Sequence, residues 1–135
     1  MAVLIDSSVW VDYFRPKTPI PVRKQAAAII DSAEIFLCEP VQFEILRSAP
    51  SAGRDLITRT FATVPLLPTP FDLWSRATEL GRKCGSRGYQ ITAMDILIAQ
   101  IALSFHLELV TFDTEFAHIA QVSPLKVNLL KRAAN

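Results

Sequence analysis

Four acids stand at the ends or on the surface of the apolar stretches of this sequence: Asp6, Glu44, Asp95 and Asp113. Asp6 follows the run Val3-Leu4-Ile5, and Asp113 lies just past a second run at 107–111. Asp95 opens the nearly all-apolar stretch 96–105. Glu44 is embedded among Val41, Phe43, Ile45 and Leu46, a costly place for a charge without a partner. Each acid alone also fits a plainer role: Asp6 and Asp95 as helix N-caps, Asp113 as the start of a turn, Glu44 on a polar face shared with Gln42 and Arg47. No basic residue is adjacent in sequence to any of the four. If they converge, each pair ~4 Å apart repels by about 4 kcal/mol at an effective dielectric of 20. Such a cluster must take up protons or a cation. All-oxygen donors suit Mg2+ or Mn2+ better than zinc, and a carboxylate-held ion that keeps its waters is a common apparatus for phosphodiester hydrolysis.

The elements that must position these acids can be read from apolar patterning. Residues 3–5, 35–37, 107–111 and 125–130 read as strands, and Val64-Pro65-Leu66-Leu67-Pro68 as an edge strand limited by its prolines. Helices are expected from the Asp6-Ser7-Ser8 cap to before Pro16, over 22–33, from Pro40 through Leu46, over 53–62, from Thr69 or Pro70 to Cys84, and over 95–105. Short apolar strands alternating with helices predict an α/β domain, a three-layer α/β/α sandwich with a mainly parallel central sheet, spanning 1–135 as one unit. In such sheets ligands gather at the carboxyl ends of strands, which is where Asp6 and Asp113 fall.

Composition narrows the function classes. The 135 residues carry 14 Lys+Arg against 13 Asp+Glu, a net charge of +1, so nucleic acid cannot be held by bulk charge and any such site is a local patch. The four glycines form neither a G-x-G-x-x-G nor a G-x-x-x-x-G-K loop, which excludes the usual phosphate cradles. With no C-x-x-C and no His pair at i, i+4, a structural zinc site is not expected, and Cys38 and Cys84 read as free thiols. The opening Met-Ala-Val-Leu-Ile-Asp lacks the basic region of an export signal and no apolar run is long enough for a membrane span, so the expected compartment is the cytoplasm.

Four segments together resemble the PIN-domain family, and within it the VapC-type ribonuclease toxins of toxin–antitoxin pairs. They are Leu4-Ile5-Asp6-Ser7-Ser8-Val9-Trp10-Val11-Asp12-Tyr13-Phe14, Glu44-Ile45-Leu46-Arg47, Thr92-Ala93-Met94-Asp95-Ile96-Leu97-Ile98-Ala99 and Thr111-Phe112-Asp113-Thr114-Glu115-Phe116. The resemblance implies a PIN-like fold and a Mg2+-dependent endoribonuclease, with Mn2+ as a substitute ion. It implies that Asp6, Glu44, Asp95 and Asp113 are the metal-holding catalytic quartet, that Ser8 orients the first acid, and that Thr111 supports the last. It further implies a cognate VapB-like antitoxin that blocks RNA entry, a homodimer within a toxin–antitoxin hetero-oligomer, and DNA contact only through the antitoxin. Arg82, Lys83 and Arg87 are candidate RNA contacts, with Arg15 and Arg47 also near the approach and Arg47 able to pair with Glu44. Trp10, Tyr13, Phe14, Phe43 and Leu46 are candidates for an antitoxin groove or, alternatively, for the core. Leu73 and Trp74 are candidates for a dimer face. Asp12 is expected in a structural or surface role, and His106 and His118 at surfaces or helix ends.

Other readings of the same architecture are weaker. A haloacid-dehalogenase-type phosphatase needs Asp-x-Asp, and position 8 is Ser. A receiver domain needs a lysine after a late strand, where Lys126 lacks the accompanying acids and spacing. A structure-specific DNA nuclease is usually larger. A non-catalytic PIN scaffold has no reason to keep four repelling carboxylates, and a housekeeping PIN nuclease without toxin role shares the chemistry.

Overall fold

A computed structural model describes residues 1–134. The elements run β1 (Ala2–Ile5), α1 (Ser7–Phe14), α2 (Ile20–Ser32), β2 (Glu34–Phe36), α3 (Glu39–Ser48), α4 (Ser51–Phe61), α5 (Leu73–Ser86), α6 (Ala93–Ser104), β3 (Glu108–Thr111), α7 (Glu115–Val122) and β4 (Val127–Leu129). The strands form one sheet in the order β2-β1-β3-β4, every pair parallel. From β1 the chain steps outward to β2, and from β3 it steps outward the other way to β4. Right-handed crossovers therefore put α1 and α2 on one face and α7 on the other, which gives the α/β/α layering. The reversal leaves a crevice between the carboxyl ends of β1 and β3.

The core explains why the strands are short and apolar. Val3, Leu4, Ile5, Leu109 and Val110 are buried in the sheet, with Ile98, Ala99, Ile101 and Ala102 of α6 against it. Because α6 is covered on most sides it shows no single apolar stripe, as a buried helix should. Trp10 is fully buried, stacked on Phe14 at 5.7 Å and edge-on to Phe61 at 5.0 Å and Tyr13 at 5.8 Å between ring centroids. It therefore belongs to the core and not to an exposed groove. Leu73 is likewise buried, whereas Trp74 is exposed.

Two helix ends carry the same wrap in different residues. After α5, Gly88 N–H bonds Gly85 O at 3.0 Å and Tyr89 N–H bonds Cys84 O at 3.0 Å, with Gly88 at φ +78°. After α6, His106 N–H bonds Leu103 O at 3.2 Å and Leu107 N–H bonds Ala102 O at 2.9 Å, with His106 at φ +54°. The left-handed residue that closes this motif is usually glycine; His106 fills it at some strain and is exposed to solvent.

Three sequence expectations change. The edge strand at 64–68 reduces to one parallel bridge between Leu37 and Leu66, held by Leu37 N–H to Pro65 O at 2.9 Å and Leu67 N–H to Leu37 O at 2.8 Å. Pro65 and Pro68 have no N–H to extend it. The helix before Cys84 starts at Leu73 rather than Thr69 or Pro70, after a turn at Phe71-Asp72. Helix α7 is an addition to the expected helices; its signal is the spacing of Phe116 and Ile119, both buried.

Candidate acidic site at the sheet edge

Asp6 and Asp113 flank the crevice. Asp6 N–H bonds Val110 O at 3.0 Å, so the β1–β3 ladder runs up to the acid itself. Its side chain is also the N-cap of α1, so capping and site roles coexist in one carboxylate. Oδ2 accepts from Ser8 N–H at 3.3 Å, Ser8 Oγ at 2.8 Å and Thr111 Oγ1 at 2.8 Å, and Oδ1 lies outside these bonds. Both hydroxyl protons are thereby committed to Oδ2. The 3.2 Å approach of Ser8 Oγ to Thr111 Oγ1 is then proximity without a proton. Each hydroxyl in turn accepts a backbone N–H from consecutive residues: Phe112 to Ser8 Oγ at 3.0 Å and Asp113 to Thr111 Oγ1 at 2.9 Å. Two hydroxyls thus staple the start of α1 to the loop leaving β3.

Asp113 and Glu44 follow the same scheme. Asp113 Oδ1 accepts Glu115 N–H at 2.9 Å at the entry to α7, and Glu44 Oε1 accepts Ser7 Oγ at 2.7 Å. In Asp6, Asp113 and Glu44 one oxygen is fixed and the other stands outside the bonds just named. Ser7 is a positioning residue that sequence reasoning missed, because only the fold brings α3 beside the start of α1. Arg47 does not pair with Glu44; its guanidinium lies 5.7 Å over the Phe43 ring. Asp95 sits in the first turn of α6, where Thr92 is the N-cap and accepts Asp95 N–H at 3.3 Å.

Electrostatics ties Asp95 to the rest. Burial, followed by the charges of Asp6 and Asp113 and more weakly Glu44, pushes its carboxyl up to about 7. Burial also raises Asp6, against the donors from Thr111 and Ser8. Cys38, which precedes α3, is pushed up to about 12, chiefly by burial, so it is a thiol at neutral pH and offers no thiolate here. Cys38 and Cys84 are both free and buried. Among the described residues no three Asp, Glu, His or Cys side chains stand close enough to enclose an ion. The candidate donor set nevertheless fits a hard divalent cation: its atoms are all carboxylate oxygens, burial and then the neighbouring negative charges raise Asp95, and Mg2+ is commonly held by one or two carboxylates with its waters kept.

Among the described residues none of the candidate RNA cations forms an ion pair with the four acids. Arg82 pairs with Glu79 at 2.9 Å, and Lys83 lines a cleft of about 1170 Å³ that also includes His106 and Lys126, at the entry ends of β3 and β4. Arg87 lies 5.9 Å over Tyr89, in the loop leading to α6; Tyr89 in turn stacks on His118 at 4.6 Å. Phe43, Leu46 and Leu66 line a smaller cleft on α3, with Phe43 55% exposed. No helix among the described residues is long and apolar enough to cross a membrane.

The staple makes a direct prediction. Thr111→Val keeps the shape but removes a donor to a buried carboxylate and an acceptor for Asp113 N–H, so it should cost about 2 kcal/mol. In a chain of this length that lowers Tm by several degrees; Thr111→Ser should recover most of it. A Tm for the valine variant within one degree of wild type would show that Asp6 is held by other groups.

Known proteins place this architecture. A family model described as PIN domain matches residues 3–122. VapC ribonuclease Mb1587 of Mycobacterium bovis and Ribonuclease VapC11 of Mycobacterium tuberculosis are each 30% identical over 130 residues, covering 92% of this chain and 96% of the relative. Among solved structures, VapBC2 from Rickettsia felis bound to a promoter DNA fragment matches with a TM-score of 0.76 at 18% identity, over 97% of this chain and 100% of that one. FitAcB from Neisseria gonorrhoeae matches with a TM-score of 0.71 at 18% identity, over 94% of this chain and 96% of that one. At these identities the solved structures speak for the fold alone.

Proposed function

The chain belongs to the PIN-domain family, and from that membership and its acidic sheet edge we propose that it is the ribonuclease toxin of a toxin–antitoxin pair. The observation that carries the reading is that Thr111 Oγ1, at the end of β3, joins the Asp6 carboxylate to the Asp113 N–H, with Asp95 raised by burial and then by the charges of Asp6 and Asp113. Asp6, Glu44, Asp95 and Asp113 would hold Mg2+ or Mn2+, which when bound acidifies a water and offsets charge on the phosphodiester undergoing hydrolysis. Ser8 and Thr111 orient Asp6 by fixing Oδ2. Ser7 does the same for Glu44, and the Glu115 N–H for Asp113. Asp95, pushed up to about 7 by burial and then by the charges of Asp6 and Asp113, keeps a proton near neutrality when no cation offsets the cluster. Surplus negative charge also explains why a partner would present a basic side chain here, and the exposed Phe43 and Leu66 beside α3 offer it apolar surface. That partner is a VapB-like antitoxin, and RNA is the substrate.

The test is cleavage of cellular RNA by the purified chain. Cleavage should need a divalent ion, fall at least about 10²-fold with chelator and return with Mg2+ or Mn2+. In a host, induction should arrest growth, and co-expression of the antitoxin encoded beside it should relieve the arrest. Cleavage indifferent to chelator would overturn the metal reading. Growth unaffected by an RNA-cleaving chain would leave a housekeeping nuclease in place of a toxin.

A further inference from the structure

Past β4 the chain crosses the acid edge, held by several bonds. Leu130 N–H bonds Thr111 O at 2.7 Å, extending the β3–β4 ladder beyond the strands. Gln25 of α2 then grips the next residues from both sides: its Nε2 donates to Lys131 O at 2.7 Å and its Oε1 accepts Ala133 N–H at 3.0 Å. Between these bonds Arg132 Nε donates to Asp12 Oδ2 at 2.8 Å, and its guanidinium lies 4.7 Å over the Phe112 ring. Asp12 is buried on α1, one turn after Ser8. Phe112 is the residue whose N–H holds Ser8 Oγ. Arg132 therefore bridges the two elements that the Ser8–Phe112 bond joins, α1 through Asp12 and the loop after β3 through Phe112, from a segment that belongs to neither.

We infer that residues 130–133 are a strap across the acid edge and that Arg132 is a positioning residue, holding α1 and the 112–113 loop at the spacing that the Asp6–Ser8–Thr111 bonds require. The planar guanidinium suits both tasks, since it makes a directed bond to the carboxylate while its face covers an aromatic ring. Without it, a buried Asp12 has no cation and draws toward water, and α1 and its Ser8 move with it. Displacements near 1 Å are enough to slow a reaction that depends on aligned groups. The effect on rate rests on the ribonuclease reading; the effect on structure does not.

The test compares the full chain with Arg132→Met, Arg132→Lys and the surface control Arg59→Met, whose partner Asp55 is itself exposed. RNA cleavage gives kcat and KM, and amide hydrogen exchange gives local opening. Arg132→Met should lower kcat about tenfold with KM within about twofold. It should also speed exchange at the Phe112 and Asp113 amides while Ile98 and Ile101 in α6 keep wild-type protection. Arg132→Lys should recover part of both changes, and Arg59→Met should show neither. A rise in KM alone would make Arg132 an RNA contact and overturn the inference. Faster exchange throughout, Ile98 and Ile101 included, would make it a general stabiliser and overturn it as well, as would no change. Should the methionine variant fail to fold, the lysine variant carries the same comparison. A wild-type chain that cleaves no RNA would refute the ribonuclease reading, and the exchange pattern alone then decides the strap.

Discussion

Asp6→Asn should reduce RNA cleavage at least about 10²-fold while the protein melts within a few degrees of wild type. An asparagine has one acceptor oxygen and one NH2 donor where aspartate has two acceptors. Oδ2 of Asp6 takes protons from Ser8 and Thr111, so only the amide oxygen can stand there. The NH2 is then forced into the place of Oδ1, the oxygen left to face a cation, and turns a ligand into a donor of the wrong sign. The reversed amide opposes NH2 to two hydroxyl protons and breaks the staple. Neither orientation restores the site. The fold survives because asparagine caps helices about as well as aspartate and because a buried charge is removed. The measurement is single-turnover cleavage at saturating Mg2+ together with thermal unfolding. Activity within tenfold of wild type would remove Asp6 from the site.

Much of this was legible in the sequence because it rests on local rules. The run Val3-Leu4-Ile5 ending at Asp6 and the run ending at Thr111 announce two strands whose carboxyl ends carry acids, and the parallel α/β pattern puts those ends on one edge. What the pattern could not give is strand order, and strand order makes β1 and β3 neighbours and opens the crevice between them. Contacts across large sequence separations were illegible for the same reason. Ser7 reaches Glu44 and Arg132 reaches Asp12 only once distant helices or the tail are packed side by side. Trp10 shows the limit of reading aromatics by type, since burial on α1 depends on Phe61 of α4 arriving opposite it. The proline-bounded segment at 64–68 reads as a strand by its apolar content, but backbone donors decide how far a ladder can run, and two of its five residues have none.

Asp95→Asn should stabilise the ion-free protein at pH 8 and leave it unchanged near pH 4. The carboxyl lies near 3.8 in the unfolded chain and about 7 in the fold, where burial and then the charges of Asp6 and Asp113 oppose ionisation. Below the lower value the group is neutral in both states, and its favourable contribution is whole. Between the two values the folded protein keeps a proton that the unfolded chain has released, so stability falls as pH rises. Above about 7 the contribution is gone and the fold carries the repelling charge. A shift of this size corresponds to a few kcal/mol at most, or about 5–10 °C in Tm, and asparagine removes that loss because it cannot ionise. Melting curves from pH 4 to 8 in chelator, wild type beside variant, should therefore meet at the acid end and separate toward pH 8. Adding Mg2+ at pH 8 should close the gap from the wild-type side, since a cation binding the folded state raises its stability by mass action and the variant has lost one of the charges that attract it. A constant difference at all pH values would mean that the substitution changes packing and not charge, and the acid cluster would lose its electrostatic basis.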